Sequence, residues 1–393
     1  MRDRLKVIAI GGAYGKTPTS QLIAGVLGAG GRPTAVLGKL GYSDGVESCP
    51  PPRQCDPEAV LFDWLTRANI CGCSHAVVEA SRCTLPALKR LGVMFDTACV
   101  TRLSLGVDSS DADELSEDGP FELRLFERIM PEGVAVLNAD DAGCEDLLTR
   151  VDTPALTVGV HEPAEITATI VEQTISDQTF LLSAGEDAMP VRVALVGNEN
   201  VYHCLLAAAV GFAHGLDIAT VARGLESVEC IPGRLGRVEC GQPFAVFVDD
   251  ANRPESLAAT LAELRPLVRG RMLCVFGADS QFDPLSRHRL SRAIDRHSDF
   301  AVITSAADER AAAQALADLM SAFPVTSCTQ AVGDRRDAIR LALNEARPGD
   351  CVLIAGQGET PWSSGLNWTN DVEEARQNLY AGVTWSQPYR AAA

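Results

Sequence analysis

The sequence predicts an α/β fold in two domains, and three observations carry that expectation. Short apolar runs alternate with amphipathic stretches along most of the chain, the pattern of parallel strands joined by helical crossovers. The first of those runs ends in a glycine turn that opens a helix. A length of 393 residues also exceeds what one ordinary hydrophobic core organises. We therefore expect a first domain over residues 1–230, with a mainly parallel sheet, a phosphate loop and a small β excursion. A Rossmann-like α/β domain over 231–393 follows it.

The elements follow in chain order. Lys6 to Ile10 reads as a strand, and Leu22, Ile23, Val26 and Leu27 share one face of the next helix. Gly41 to Asp56 reads as a Pro- and Gly-containing loop, followed by a helix through Val60, Leu61, Trp64 and Leu65. Further strands are His75 to Glu79, Thr97 to Thr101, Gly133 to Asn138 and Ala155 to Val160. From Glu165 to Val196, alternating Thr, Ile, Val and Phe suggest antiparallel strands packed on the first sheet. Helices over Val201 to His214 and Ile218 to Val228 close the domain. Ile231, Pro232 and Gly233 break the pattern, and a new series begins with strands at Phe244 to Asp249, Met272 to Gly277, Phe300 to Thr304 and Cys351 to Ala355. The residues from about Trp385 onward read as a loose tail.

Composition excludes several classes. With 46% hydrophobic and 22% charged residues the chain is of the soluble globular type. A formal charge of -18 argues against nucleic acid, whose binders need a basic stripe. No apolar run approaches the roughly 18 residues of a membrane span. The apolar run after Met1 leads into a glycine loop, as a buried strand does and a signal peptide does not, so a cytoplasmic location is expected. The 13 cysteines are odd in number, which suits reduced thiols. Cys49 with Cys55, and Cys71 and Cys73 with His75, lack the paired spacing of a metal site and are better read as structural.

The most specific signal is Gly11, Gly12, Ala13, Tyr14, Gly15, Lys16, Thr17, set between an apolar strand and an amphipathic helix. Such a loop aims backbone N–H groups and a helix N-terminus at phosphate oxygens. Lys16 would neutralise phosphate charge and Thr17 would ligate magnesium. Ile10 stands where the full eight-residue pattern has its first glycine, so only the shorter form is present. Pro18 falls in the first helical turn, where proline is tolerated. Glu79, closing an apolar strand, is the candidate carboxylate for the metal.

These residues resemble the Mur ligase family. The resemblance is carried by Gly12 to Thr19, by Val-Val-Glu-Ala-Ser ending at Ser81, and by Val-Ala-Val-Leu-Asn-Ala-Asp-Asp from Val134 to Asp141. Val196 to Ala208 around Asn200, Pro232 to Arg234, Val248 to Pro254, and Leu353 to Thr360 extend it over nearly the whole chain. Among the family, it is most similar to the members that add the third amino acid to UDP-N-acetylmuramoyl-dipeptide. The resemblance implies that ATP phosphorylates a small carboxylate substrate and an amine attacks the acyl phosphate. Gly12, Gly15, Lys16 and Thr17 would hold phosphates, and Thr17 and Glu79 the magnesium ion. Lys16, Glu79 and Arg234 would serve the reaction, and Asn200 and Asp249 the nucleotide or closure of the domains. Asn200 as a helix cap and Asp249 as a strand end remain the plain alternatives.

The departures from the family pattern are equally specific. The family's N-terminal domain that holds the UDP sugar is expected to be missing, because the phosphate loop begins almost at Met1; a partner subunit would then supply it. Arg102 to Val107 replace the family's Asn and Asp-His pair, and Glu122 stands where a carbamylated lysine bridges to metal. Glu122 thus joins Thr17 and Glu79 as a candidate metal ligand, against a solvated helix face as the alternative. His203, Asn252 and Gln357 replace Asn, His and Lys, and Ala306 to Glu309 replace the motif that grips a diamino acid. Ser81 is read either beside the metal or as a cap before Thr84. Two functional readings result: an ATP-dependent acid–amino acid ligase of cell-wall peptide synthesis, or a homologue that binds ATP without ligating and acts as a regulatory or scaffolding subunit. A generic P-loop NTPase ranks third, since no arginine finger or sensor is recognisable.

Overall fold

The structure, a computed structural model, describes residues 4–50, 56–102, 121–278, 282–305, 309–364 and 367–382. It divides into two compact units, one of Met1–Gln173 and Asp177–Glu229, the other of Cys230–Ala393 with Thr174–Ser176.

In the first unit the order is β1 (Lys6–Gly11), α1 (Lys16–Ala29), β2 (Thr34–Gly38), β3 (Gly41–Ser43), β4 (Ser48–Cys49), α2 (Pro57–Ile70), β5 (His75–Glu79), α3 (Thr84–Arg90) and β6 (Phe95–Val100). Then come α4 (Phe121–Phe126), β7 (Ile129–Asn138), α5 (Cys144–Thr149), β8 (Ala155–Gly159), β9 (Ile166–Gln173), β10 (Gln178–Ala184), β11 (Asp187–Val193), α6 (Asn198–Ala213) and α7 (Ile218–Glu226). All eleven strands lie in one sheet, ordered β11-β10-β9-β8-β7-β6-β1-β5-β2-β3-β4. Its centre is parallel, from β2 through β5, β1, β6, β7 and β8.

Two readings of the sequence change here. The antiparallel strands after Glu165 do not pack on the first sheet; β9 pairs parallel with β8 and carries the same sheet outward through β10 and β11. At the other edge, Gly41–Ser43 and Ser48–Cys49 are short strands where a loop was expected. In both places an open edge finds backbone partners, which sequence periodicity does not report.

Alternating strand residues build a layer on each side of this sheet. Val7, Ala9, Val78, Ala98, Val100 and Leu137 pack with Leu61 and Trp64 of α2 and Leu88 of α3. Ile8, Ile10, Val77 and Cys99 have the opposite parity and are fully buried, as are Leu22, Ile23, Val26 and Leu27 of α1. Helix α1 packs on α6 and α7. The α1–α7 approach is close enough that a Cβ on Gly224 would lie 2.4 Å from the Val26 Cα.

The second unit contains β12 (Gly236–Arg237), β13 (Ala245–Asp249), α8 (Pro254–Leu264), β14 (Met272–Ala278), α9 (Pro284–His297), β15 (Phe300–Ser305), α10 (Glu309–Met320), β16 (Thr329–Ala331), α11 (Arg335–Glu345), β17 (Cys351–Ala355), β18 (Trp362–Ser364), β19 (Asn367–Thr369) and α12 (Asp371–Gly382). Its main sheet runs β12-β13-β17-β14-β15-β16, parallel except for β12, and β18 pairs antiparallel with β19. The fully buried Arg335–Asp371 pair ties α11 to α12, with Arg335 Nη2 also donating to the Ala355 carbonyl at 3.0 Å. Trp362 Nε1 donates to the same aspartate at 2.9 Å.

At the N-terminal edge of the first sheet, a buried polar chain runs from Ser74 Oγ to His75 Nδ1 (2.8 Å), from His75 Nε2 to His214 Nδ1 (3.2 Å), and from His214 Nε2 to Thr97 Oγ1 (3.1 Å). Burial, then His214, Arg32 and Lys6, hold the His75 pKa down at about 3. Burial and then Lys6, against Asp96, hold His214 at about 4. An unfolded chain protonates these imidazoles near pH ~6.5, which the folded chain resists. Stability is therefore whole above pH ~6.5 and declines as pH falls from there toward 4, by at most ~1.4 kcal/mol per pH unit for each ring. Urea unfolding from pH 7 to 5 should show this slope, and the His75→Gln/His214→Gln protein should lose it; equal slopes in both proteins would refute the assignment.

Candidate functional site

The phosphate loop lies where β1 leaves the centre of the first sheet. Gly12 and Gly15 have φ of 112° and 82°, left-handed conformations that glycine adopts without the Cβ penalty. Space excludes a side chain as well: a Cβ on Gly12 would lie 2.4 Å from Thr101 Oγ1, and one on Gly15 would lie 2.2 Å from His203 Nε2. Thr101 Oγ1 donates within the turn, to the Gly11 carbonyl at 3.1 Å and to that of Tyr14. Gly15 is the N-cap of α1, so the first amides of the helix face the loop. Lys16 folds back over it, donating from Nζ to the Gly12 carbonyl at 2.6 Å.

Glu79 ends β5, the strand that pairs with β1 opposite β6. It is buried, and it accepts from the Thr17 hydroxyl (3.1 Å), from the Lys39 N–H (3.3 Å) and from the Ser20 hydroxyl (3.2 Å), whose one proton is shared with the Thr17 carbonyl at 2.9 Å. Gly38 gives it room, since a Cβ there would lie 2.0 Å from Glu79 Oε1. Because the Thr17 hydroxyl donates to the carboxylate, its lone pairs remain for a cation. Two hard oxygen donors side by side next to an amide-lined turn are a donor set suited to Mg2+, which keeps most of its shell as water and phosphate. The residues present fit that ion.

Helix α6 borders the loop. Asn200 Nδ2 donates to the Val196 carbonyl at 2.7 Å, which leaves Oδ1 to meet His203 Nδ1 at 3.2 Å. Asn200 therefore orients the ring that faces Gly15 and does not cap the helix by accepting an N–H. Asp140, in the turn after β7, accepts from the Tyr202 hydroxyl at 2.6 Å and from the amides of Val160, His161 and Glu162. Burial acts to raise its pKa, but these donors outweigh it and hold the carboxyl below the usual range. Burial and then Asp140 push the Tyr202 phenol up.

Ser81 and Thr84 bond reciprocally ahead of α3: Ser81 Oγ accepts the Thr84 N–H at 3.1 Å, and Thr84 Oγ1 accepts the Ser81 N–H at 2.8 Å. Glu122 is on α4, which packs against the exit of β1, where a Cβ on Gly11 would lie 2.8 Å from Leu125 Cδ2. No hydrogen bond or ion pair among the described residues joins Glu122 to Thr17 or Glu79. The stretch from Leu103 to Val107, and residues Ala306 to Asp308, fall outside the described residues. No group of three or more metal-ligating side chains forms among those described, which includes Cys71, Cys73 and His75.

Arg234 and Asp249 are in the second unit. Arg234 pairs with Asp250 at 2.6 Å. Asp249, at the end of β13, is buried and accepts from the amides of Leu235 (2.8 Å) and Ala251 (2.9 Å). Burial pushes its pKa up, and the Leu235 amide offsets part of the shift. Leu235 has a φ of 43°, the one positive value outside glycine among the described residues, so the carboxylate holds a strained turn in place. Gly356 and Gly358 follow the neighbouring β17, with φ of 113° and 59°; the Gly356 amide donates to the Asp249 carbonyl at 3.0 Å. Asp249 and Arg234 thus sit together at the C-terminal ends of adjacent parallel strands.

Sequence reasoning missed Ser20, Gly38 and Thr101 as parts of the loop's support. Ser20 was within reach of it, lying three residues after Thr17 on the same helical face. The other two become visible only when neighbouring strands are placed.

A parallel sheet with a glycine turn, a lysine and a strand-terminal carboxylate at its centre defines a P-loop-type α/β protein. Residues 10–211 match the Mur ligase middle domain and residues 233–358 the Mur ligase glutamate ligase domain. A Synechococcus elongatus protein named UDP-N-acetylmuramoyl-L-alanyl-D-glutamate–2,6-diaminopimelate ligase is 34% identical over 374 residues, covering 90% of this chain and 72% of its own length. A Roseiflexus UDP-N-acetylmuramyl-tripeptide synthetase is 31% identical over 388 residues, covering 90% and 74%. The solved structure of a UDP-N-acetylmuramoyl-L-alanyl-D-glutamate–2,6-diaminopimelate ligase shares the fold with a TM-score of 0.72 at 24% identity, over 96% of this chain and 79% of that one. The chain belongs to the Mur ligase family.

Gly15 and Gly28 lie on the same helix and its cap but differ in surroundings, since a Cβ on Gly28 meets nothing within 4 Å. Gly15→Ala should destabilise the protein by ~1–2 kcal/mol from the left-handed backbone alone. Gly28→Ala should stabilise it by ~0.5–1 kcal/mol. Chemical denaturation reads both, and equal effects would contradict the geometry.

Proposed function

We propose that this protein is an ATP-dependent carboxylate–amine ligase acting in cell-wall peptide synthesis. The observation that carries the reading is the grouping of Lys16 Nζ over the glycine turn with Thr17 and Glu79 hydrogen-bonded beside it. The loop amides and the α1 N-terminus bind the triphosphate, and Lys16 leaves the Gly12 carbonyl for its outer oxygens. Thr17 and Glu79 hold Mg2+, which supplies charge neutralisation of the phosphate oxygens when bound. A substrate carboxylate attacks the γ-phosphorus; the bond to ADP breaks and an acyl phosphate forms. An amine then attacks the acyl carbon, phosphate leaves, and a proton is lost from nitrogen, giving the amide.

Asn200, through His203, shapes the floor of the loop. In the second unit, Asp249 holds the turn that carries Arg234. Glu122 is assigned no role in the reaction. The names of the relatives point to a UDP-N-acetylmuramoyl-dipeptide as the acid and a diamino acid as the amine.

Mg-ATP at ~100-fold over Kd should raise Tm by roughly 5–10 °C, and Lys16→Ala should abolish the rise. ADP and phosphate should appear in step with amide only when acid and amine are both supplied. Binding without turnover across UDP-linked acids and diamino acids would assign the protein to the non-ligating reading, and no thermal shift at all would remove both.

A further inference from the structure

The connections of the first sheet diverge beside β1. The chain leaves β1 for β2 and β5 on one side, then crosses to β6 and β7 on the other. In open α/β sheets the crevice at such a switch point, outside the carboxyl ends of the strands, is where ligands bind. Thr101 and Arg102, directly after β6, occupy this place.

The Arg102 backbone is fixed to the glycine turn. Its carbonyl accepts the Ala13 N–H at 3.0 Å, and a Cβ on Gly12 would lie 2.9 Å from both its nitrogen and its oxygen. The side chain is held differently. The guanidinium is 52% exposed, with Nη1 2.6 Å from Glu199 Oε1 in the first turn of α6 and Nε 3.7 Å from Asp141 Oδ1. Glu199 is itself 39% exposed. An exposed pair of this kind is weakly held and readily exchanged. A guanidinium prefers a phosphate, which it can grip through two parallel N–H bonds, when one with higher charge comes within reach.

We infer that Arg102 is a phosphate-binding residue held in reserve: paired with Glu199 in this structure, it exchanges that carboxylate for the outer phosphate oxygens of a nucleotide seated in the loop. The inference rests on the nucleotide reading given above. It makes Glu199 a competitor of the ligand. Removing the glutamate's charge should therefore tighten binding, and only while Arg102 is present.

The test is isothermal titration of the full chain with Mg-ATP and Mg-ADP. Arg102→Gln should weaken ATP binding about tenfold or more, the range of a charged hydrogen bond, and weaken ADP binding less. Arg102→Lys should recover part of the loss. Glu199→Gln should tighten ATP binding severalfold, and this gain should vanish in the Arg102→Gln/Glu199→Gln protein. Unfolding midpoints without nucleotide identify any variant whose fold is lost. Unchanged ATP affinity in a folded Arg102→Gln protein, or a Glu199→Gln gain that persists without Arg102, overturns the inference. If the unsubstituted protein binds no ATP, the nucleotide reading falls with it. If that protein binds ATP, Lys16→Ala does not and Arg102→Gln binds as before, only the role of Arg102 is lost.

Discussion

Glu79 is a carboxylate buried at the end of a central strand, and a charge in such a place is costly unless donors meet it. Three do, from two different elements: the hydroxyls of Thr17 and Ser20 on the first turns of α1, and the amide of Lys39 just after β2. This requirement fixes where α1 begins relative to β5. With the start of α1 set, Gly15 must take a left-handed conformation and the amides after it must face the crevice. Gly38 follows from the same constraint, because any side chain there would occupy the carboxylate's space. The site is a consequence of satisfying one buried acid.

The second unit uses the same logic with other residues. Its parallel strands also gather polar groups at their carboxyl ends, where Asp249 holds the turn that carries Arg234 and the loop through Gly356 and Gly358 lies beside it. Away from that end, Arg335 and Asp371 form a buried pair that anchors α12. Such a pair is a poor source of net stability but a demanding one to break, which suits an element that must keep one register.

Much of this was legible in the sequence, for physical reasons. The strand at Lys6, the glycine turn, Lys16 and Thr17 are contiguous, so their chemistry is local and a linear reading finds it. Glu79 was legible because a phosphate loop calls for a partner carboxylate for its metal, and this residue closes the apolar strand after Ala76 to Val78. Cys351–Ala355 and His75–Glu79 were placed residue for residue because a fully buried parallel strand is a continuous apolar run. What escaped depends on pairing between distant segments. The short edge strands β3 and β4, the coplanar course of β9 to β11, and Thr101 against the loop are all set by neighbours far along the chain. For Asn200 the expected helix cap is not what the structure shows, and its histidine partner takes on meaning only beside Gly15.

The central claim is that the turn from Gly12 to Thr17, with Glu79, holds a metal-bound triphosphate. A crystal structure of the protein with Mg2+ and a non-hydrolysable ATP analogue tests it most directly. The account requires the β- and γ-phosphates against the amides of residues 13–17, Lys16 Nζ moved from the Gly12 carbonyl to phosphate, and the metal on Thr17 Oγ1 beside Glu79. A nucleotide bound elsewhere, or one bound here with Lys16 still on that carbonyl and the metal away from Thr17, would contradict it.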